Sequence, residues 1–109
     1  MKLRLELSLV LALSLTGVAC AADVEAGRKI ADSQCAACHG KDGKSPIDPS
    51  YPIIAGQYPD YLAKALTDYK TGARKNAIMA GIAKPLSKKD IADLAAYFGA
   101  LPGPLTHNK

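Results

Sequence analysis

The sequence contains no internal repeat and no low-complexity segment, which sets aside solenoid and disordered architectures. No stretch alternates apolar and polar residues convincingly enough to be a strand, so a sheet is not expected. The apolar segment Leu7 to Leu15 (LSLVLALSL) is too short to span a bilayer. Side chains able to ligate a soft or borderline metal are few: two histidines, three cysteines and two methionines in 109 residues. Basic residues outnumber acidic ones, 14 to 10, but they are spread along the chain. No motif would place a helix or sheet in a nucleic-acid groove, so a solvated lysine surface and protein partners are the better reading. The length allows one small domain and no more.

The N-terminus has the layout of an export signal. Lys2 and Arg4 form a basic start, Leu7 to Leu15 form the apolar stretch, and Ala19, Cys20, Ala21 and Ala22 supply the small residues of a cleavage site. Cleavage after Ala21 or after Ala22 satisfies the small-residue rule about equally, and either removes Cys20. A lipoprotein would keep Cys20 as an acylated first residue, but Gly17 stands three before it, where a bulky aliphatic residue is expected. The division expected is therefore a signal peptide over 1–22, a domain over 23–104 and a loose tail over 105–109. The mature chain would be periplasmic, with no transmembrane segment.

Within that domain, Cys35 to His39 read CAACH, the attachment signature of a c-type haem. Two cysteines three apart lie about one helical turn from each other, so both sulfurs can reach the two vinyl groups of one porphyrin and form thioethers. His39, directly after the second cysteine, is then held beneath the iron, and a neutral imidazole nitrogen is a good ligand for it. The same residues have other uses. A thioredoxin-like redox pair would want a strand and a βαβ context, whereas the flanking sequence is helical. Structural zinc would need four ligands, and beyond Cys35, Cys38 and His39 only His107 remains. A porphyrin also supplies the apolar surface that so small a chain needs for its core.

The rest of the chain reads as helices separated by loops. Asp23 is a plausible N-cap, and Val24, Gly27, Ile30 or Ala31, Cys35 and Cys38 recur at helical spacing, so the first helix is expected to carry the haem motif at its end. Gly40 to Gly56 is rich in glycine and proline and is expected to be loop. Pro59 suits the first turn of a helix whose apolar face is Tyr61, Leu62, Ala65, Leu66 and Tyr69, with Gly72 at the cap. A short helical piece is expected around Lys75 to Ala83. In the last helix Leu86, Ser87, Asp90 and Ile91 form a staple and an imperfect capping box, and Ile91, Leu94, Ala95, Tyr97, Phe98 and Leu101 continue its apolar face until Pro102 and Pro104 end it.

With these features in place, the chain from about Asp23 to Pro102 resembles the class I c-type cytochromes. It is most like the short monohaem bacterial c-553 type, itself similar to one half of the tandem dihaem periplasmic cytochromes. The resemblance implies an all-α fold, three to five helices packed around one covalently bound haem c. Gly27 lies where the family uses a glycine for the close crossing of first and last helices, with Leu94 and Tyr97 as the partners. YPIIAGQ, Tyr51 to Gln57, resembles the family's proline loop, in which the Pro52 carbonyl accepts a hydrogen bond from His39 and orients the ring. YLAKALTDYKTGAR, Tyr61 to Arg74, is typical of the same branch. The resemblance also implies an axial thioether from Met79, within IMAGIAKPLS. Met79 is the only methionine left once Met1 leaves with the signal, although methionines more often simply fill core gaps. His107, near a polar C-terminus, is the competing ligand.

Histidine and methionine together leave no open position on iron and raise its potential, which points to electron transfer rather than bond-making chemistry. Lys41, Lys44, Lys64, Lys70, Arg74 and Lys75 could steer redox partners with acidic surfaces. Gln57 and Arg74 are candidates for the haem propionates. Three readings stand: a freely diffusing carrier, the cytochrome subunit of a larger oxidoreductase such as a flavoprotein oxidising a sulfur compound, and a haem enzyme or gas sensor with a labile sixth position. The chain is expected to be a monomer or a subunit of a redox complex.

Overall fold

A computed structural model of the protein describes residues 21–106. Most of the expected export signal, Cys20 and His107 lie outside the described residues. Five helices follow one another: α1 (Val24–Gln34), α2 (Ala36–His39), α3 (Pro59–Thr71), α4 (Ala77–Ala83) and α5 (Lys88–Ala100). No strand occurs among the described residues.

Local chemistry explains where each helix starts and stops. The Asp23 carboxylate accepts the Ala26 amide and opens α1. Pro59 begins α3, and Gly72 closes it in the left-handed conformation that a glycine takes without penalty. Ser87 and Asp90 form a complete capping box at α5, each side chain accepting the other's backbone amide, although aspartate is the shorter acid. Leu86 and Ile91, the expected staple, are both buried in the same core cluster. The helix ends at Ala100, because Leu101 precedes Pro102 and is driven to an extended conformation. One expectation needs correction. The haem motif is not the end of α1, since Cys35, with φ of −116°, breaks the helix, and the motif's last four residues form a separate turn, α2.

The frame is the crossing of α1 over α5. A methyl group added at Gly27 would sit 2.1 Å from the Asp93 carbonyl oxygen and 2.9 Å from Tyr97 Cβ. The backbones therefore touch, and glycine is the residue that allows it. Tyr97 is a partner as expected, the nearest contact is the Asp93 backbone, and Leu94 lines the interior cavity.

Asp93 locks the same crossing through its side chain. It is 2% exposed. Its Oδ1 accepts the Asp23 amide at 2.8 Å, and its Oδ2 accepts Lys89 Nζ at 2.5 Å. The Lys89 ammonium, aided by the Asp23 amide, holds the Asp93 carboxyl below its ordinary range against the opposing effect of burial. The entry to α1 is thus tied to the middle of α5.

Two outcomes follow. Gly27→Ala should destabilise the holoprotein by about 3 kcal/mol, since the carbonyl it meets belongs to a packed helix; chemical denaturation would measure it, and a loss under about 0.5 kcal/mol would contradict the backbone contact. For Asp93 the depressed folded-state pKa means that its contribution is complete above the unfolded aspartate value of about 3.9 and is lost as the pH falls through the lower folded value. The stability gap between wild type and Asp93→Asn should therefore be constant above about pH 5 and shrink below about pH 4. A gap independent of pH would show that the carboxylate's charge is not what holds the crossing.

Candidate haem site

The helices close around a cavity of about 500 Å³ whose walls come from every element. The five residues of the expected α3 face, Tyr61, Leu62, Ala65, Leu66 and Tyr69, all line it, as do Leu94 and Phe98 from α5. Cys35, Cys38, His39 and Met79 line the same space. The periodic apolar faces read from sequence thus turn out to be walls of one chamber as much as a core. Its lining is mainly apolar, a composition suited to a flat apolar ligand held by fixed anchors.

His39 is buried, and its Nδ1 lies 2.9 Å from the Pro52 carbonyl oxygen. A carbonyl oxygen only accepts, so Nδ1 carries the proton and Nε2 keeps the lone pair that a metal would take. Pro52 lies in the loop between α2 and α3, and the loop's return is stitched by backbone bonds. Ile47 donates to Cys38, and Ile54 and Ala55 both donate to Gly43. The sequence places Pro52 thirteen residues from His39, but only this loop path brings them together.

Burial pushes the Cys35 thiol up to about 11, with the neighbouring Cys38 adding to the effect. A redox-active CxxC pair depends on a depressed thiol pKa, so the thioredoxin-like reading loses its chemical basis here. Zinc fares no better, since no group of three or more His, Cys, Asp or Glu side chains suited to a metal occurs among the described residues. Two thiols, an imidazole of fixed tautomer and a thioether around an apolar chamber fit a covalently held porphyrin.

Of the six basic residues read as able to steer redox partners, only Arg74 lines the cavity. Its guanidinium lies 4.9 Å from the centre of the Tyr69 ring. Gln57 also lines the cavity. Lys64 is paired with Asp68 on its own helix, and Lys70 is turned onto backbone carbonyls of the segment after α4. Lys41, Lys44 and Lys75 are exposed.

One contributor was missed from sequence. Asn76 Oδ1 accepts the Met79 backbone amide at 3.0 Å and so caps the start of α4. The signal was present, an asparagine just before a helical run, but the expected helix began two residues too early, at Lys75 rather than Ala77.

Helices alone, wrapped around one apolar chamber that carries a CxxCH turn, define a class I c-type cytochrome. The family model for cytochrome c matches residues 24–101, and the chain belongs to that family. Cytochrome c4 of Pseudomonas aeruginosa is 45% identical over 97 residues, which are 89% of this chain and 48% of that protein. The cytochrome subunit of sulfide dehydrogenase of Chlorobaculum tepidum is 39% identical over 77 residues, 71% of this chain and 68% of that protein. The crystal structure of reduced recombinant cytochrome c4 from Pseudomonas stutzeri aligns with a TM-score of 0.65 at 34% identity, over 72% of this chain and 48% of that one. The chain thus spans about half the length of its cytochrome c4 relatives, in keeping with its resemblance to one half of a tandem cytochrome. Its cofactor is haem c, and the chain carries Cys35 and Cys38 as the cysteine pair of a CxxCH motif.

Acid extraction should leave the haem with the polypeptide, and the double variant Cys35→Ala, Cys38→Ala should release it. Release from the wild-type protein would contradict covalent attachment.

Proposed function

We propose that this protein is a periplasmic one-electron carrier whose haem c is ligated axially by His39 and Met79. The observation that carries the reading is the sharing of one apolar chamber by the CAACH turn and by Met79 of α4. When bound, the haem supplies the redox couple; the chain supplies what tunes it. His39, oriented through its Nδ1 proton on the Pro52 carbonyl, offers Nε2 to the iron, and that hydrogen bond raises the ring's basicity. Met79 offers a soft thioether that favours the ferrous state and raises the potential. Tyr61, Leu62, Leu66, Leu94 and Phe98 keep water from the centre, which limits solvent reorganisation when charge changes. With both axial positions filled the chain makes and breaks no substrate bond.

Arg74, held over Tyr69, and Gln57 are the proposed partners of the propionates. Lys41, Lys44 and Lys75 are the exposed cations left to steer acidic redox partners. Export is proposed through the signal at residues 1–22. No helix among the described residues is long and apolar enough to cross a membrane.

A second reading is favoured by the likeness to the cytochrome subunit of sulfide dehydrogenase: this chain would pass electrons from a larger oxidoreductase to which it is bound. Elution as a free monomer from its native source would support the carrier, and co-purification with a flavoprotein would support the subunit.

Met79→Ala should lower the reduction potential by on the order of a tenth of a volt or more, within the roughly 0.8 V span that axial ligation commands. It should also abolish the far-red sulfur-to-iron absorption and admit carbon monoxide, with the haem still attached. An unchanged potential would remove Met79 from the iron.

A further inference from the structure

The helix that bears Met79 is only seven residues long, too short to persist without support from its ends. At its start Asn76 caps the Met79 amide itself. At its end the Lys84 amide still closes onto Ala80, and further backbone carbonyls follow in the segment that leads to α5. Two of them are taken by one side chain from another helix. Lys70 Nζ, on α3, donates to the Lys84 carbonyl at 3.0 Å and to the Leu86 carbonyl.

We propose that Lys70 is a positioning residue for the axial thioether, a strap that holds the Met79 segment against α3. Three observations support it. The carbonyls at the end of a helix carry partial negative charge, and the lysine ammonium satisfies that of the cap residue Lys84 together with that of Leu86 two residues on. The strap joins neighbouring cavity walls, since Tyr69 precedes Lys70 and Leu86 is itself buried in the core and lines the chamber. Finally, the interaction spans 14 and 16 residues, so it closes the whole α3-to-α5 connection in which Met79 sits. Lys70 was expected among the partner-steering lysines; its ammonium is directed instead to its own backbone.

The consequence is kinetic access to the iron. An external ligand reaches a six-coordinate centre only when Met79 leaves, so its apparent affinity scales with the population in which the α4 segment has opened. Loosening one end of α4 raises that population.

The inference rests on Met79 as the axial ligand, and the test separates the two. Imidazole binding to the ferric holoprotein, followed through the far-red sulfur-to-iron band, would be measured for wild type, Lys70→Met, Lys70→Arg and the exposed control Lys75→Met. Lys70→Met keeps the aliphatic stem and loses only the ammonium. It should bind imidazole about tenfold more tightly, while Lys70→Arg returns most of the way to wild type and Lys75→Met stays within about twofold. Asp93→Asn, which loosens α1 on α5 instead, should leave imidazole affinity near that of wild type and so separates a local strap from general destabilisation. Wild-type affinity in Lys70→Met, or an equal rise in Asp93→Asn, would overturn the strap. Absence of the sulfur-to-iron band from wild type would overturn the ligand assignment beneath it.

Discussion

The contact on which this fold depends is the touching of two helix backbones where Gly27 meets the Asp93 carbonyl. At that distance α1 and α5 cannot slide or separate without losing packing along both, and the Asp93 side chain ties the same point to the Asp23 amide. Because the crossing is made on one side of α5, its other side is free to face inward. Leu94 and Phe98 wall the chamber while Tyr97 lies against α1. One helix therefore serves both frame and site, and the glycine decides how near the haem motif that follows α1 comes to its apolar wall.

The site is assembled from pieces that are each too small to stand alone. The CAACH turn is separated from α1 by the break at Cys35, and its histidine is oriented by a carbonyl from a loop with no regular structure of its own. The Met79 helix is similarly short and is held at both ends from outside. Small elements stabilised by distant contacts allow a chain of this size to surround a large cofactor, since the apolar surface missing from the protein core is supplied by the porphyrin. They also make the cofactor's ligation sensitive to residues that never touch it.

Much of this was legible in the residues. The haem motif is local, and its spacing follows from the chemistry of attachment. The α3 face, the Ser87 and Asp90 box and the stop before Pro102 also follow from neighbours within one or two turns. The break at Cys35 was not legible, because the helical periodicity of α1 continues straight through it. That the Asp93 backbone makes the nearest contact with Gly27 while Leu94 lines the chamber was not legible either, since a single turn of α5 presents residues to both sides. The lysines read as a steering surface are all exposed, yet in three dimensions Lys64 is ion-paired and Lys70 is carbonyl-bound, and nothing in their spacing distinguishes these two from the rest.

The sequence by itself determined the cofactor, the helical class and most helix ends, since covalent attachment, capping and periodicity are interactions between residues close along the chain. Only the tertiary structure decided which side of each helix became wall and which became frame, that the Pro52 carbonyl meets His39, and that Lys70 grips the segment after Met79. Those depend on where loops return the chain, and a loop's path is set by contacts between residues far apart in sequence.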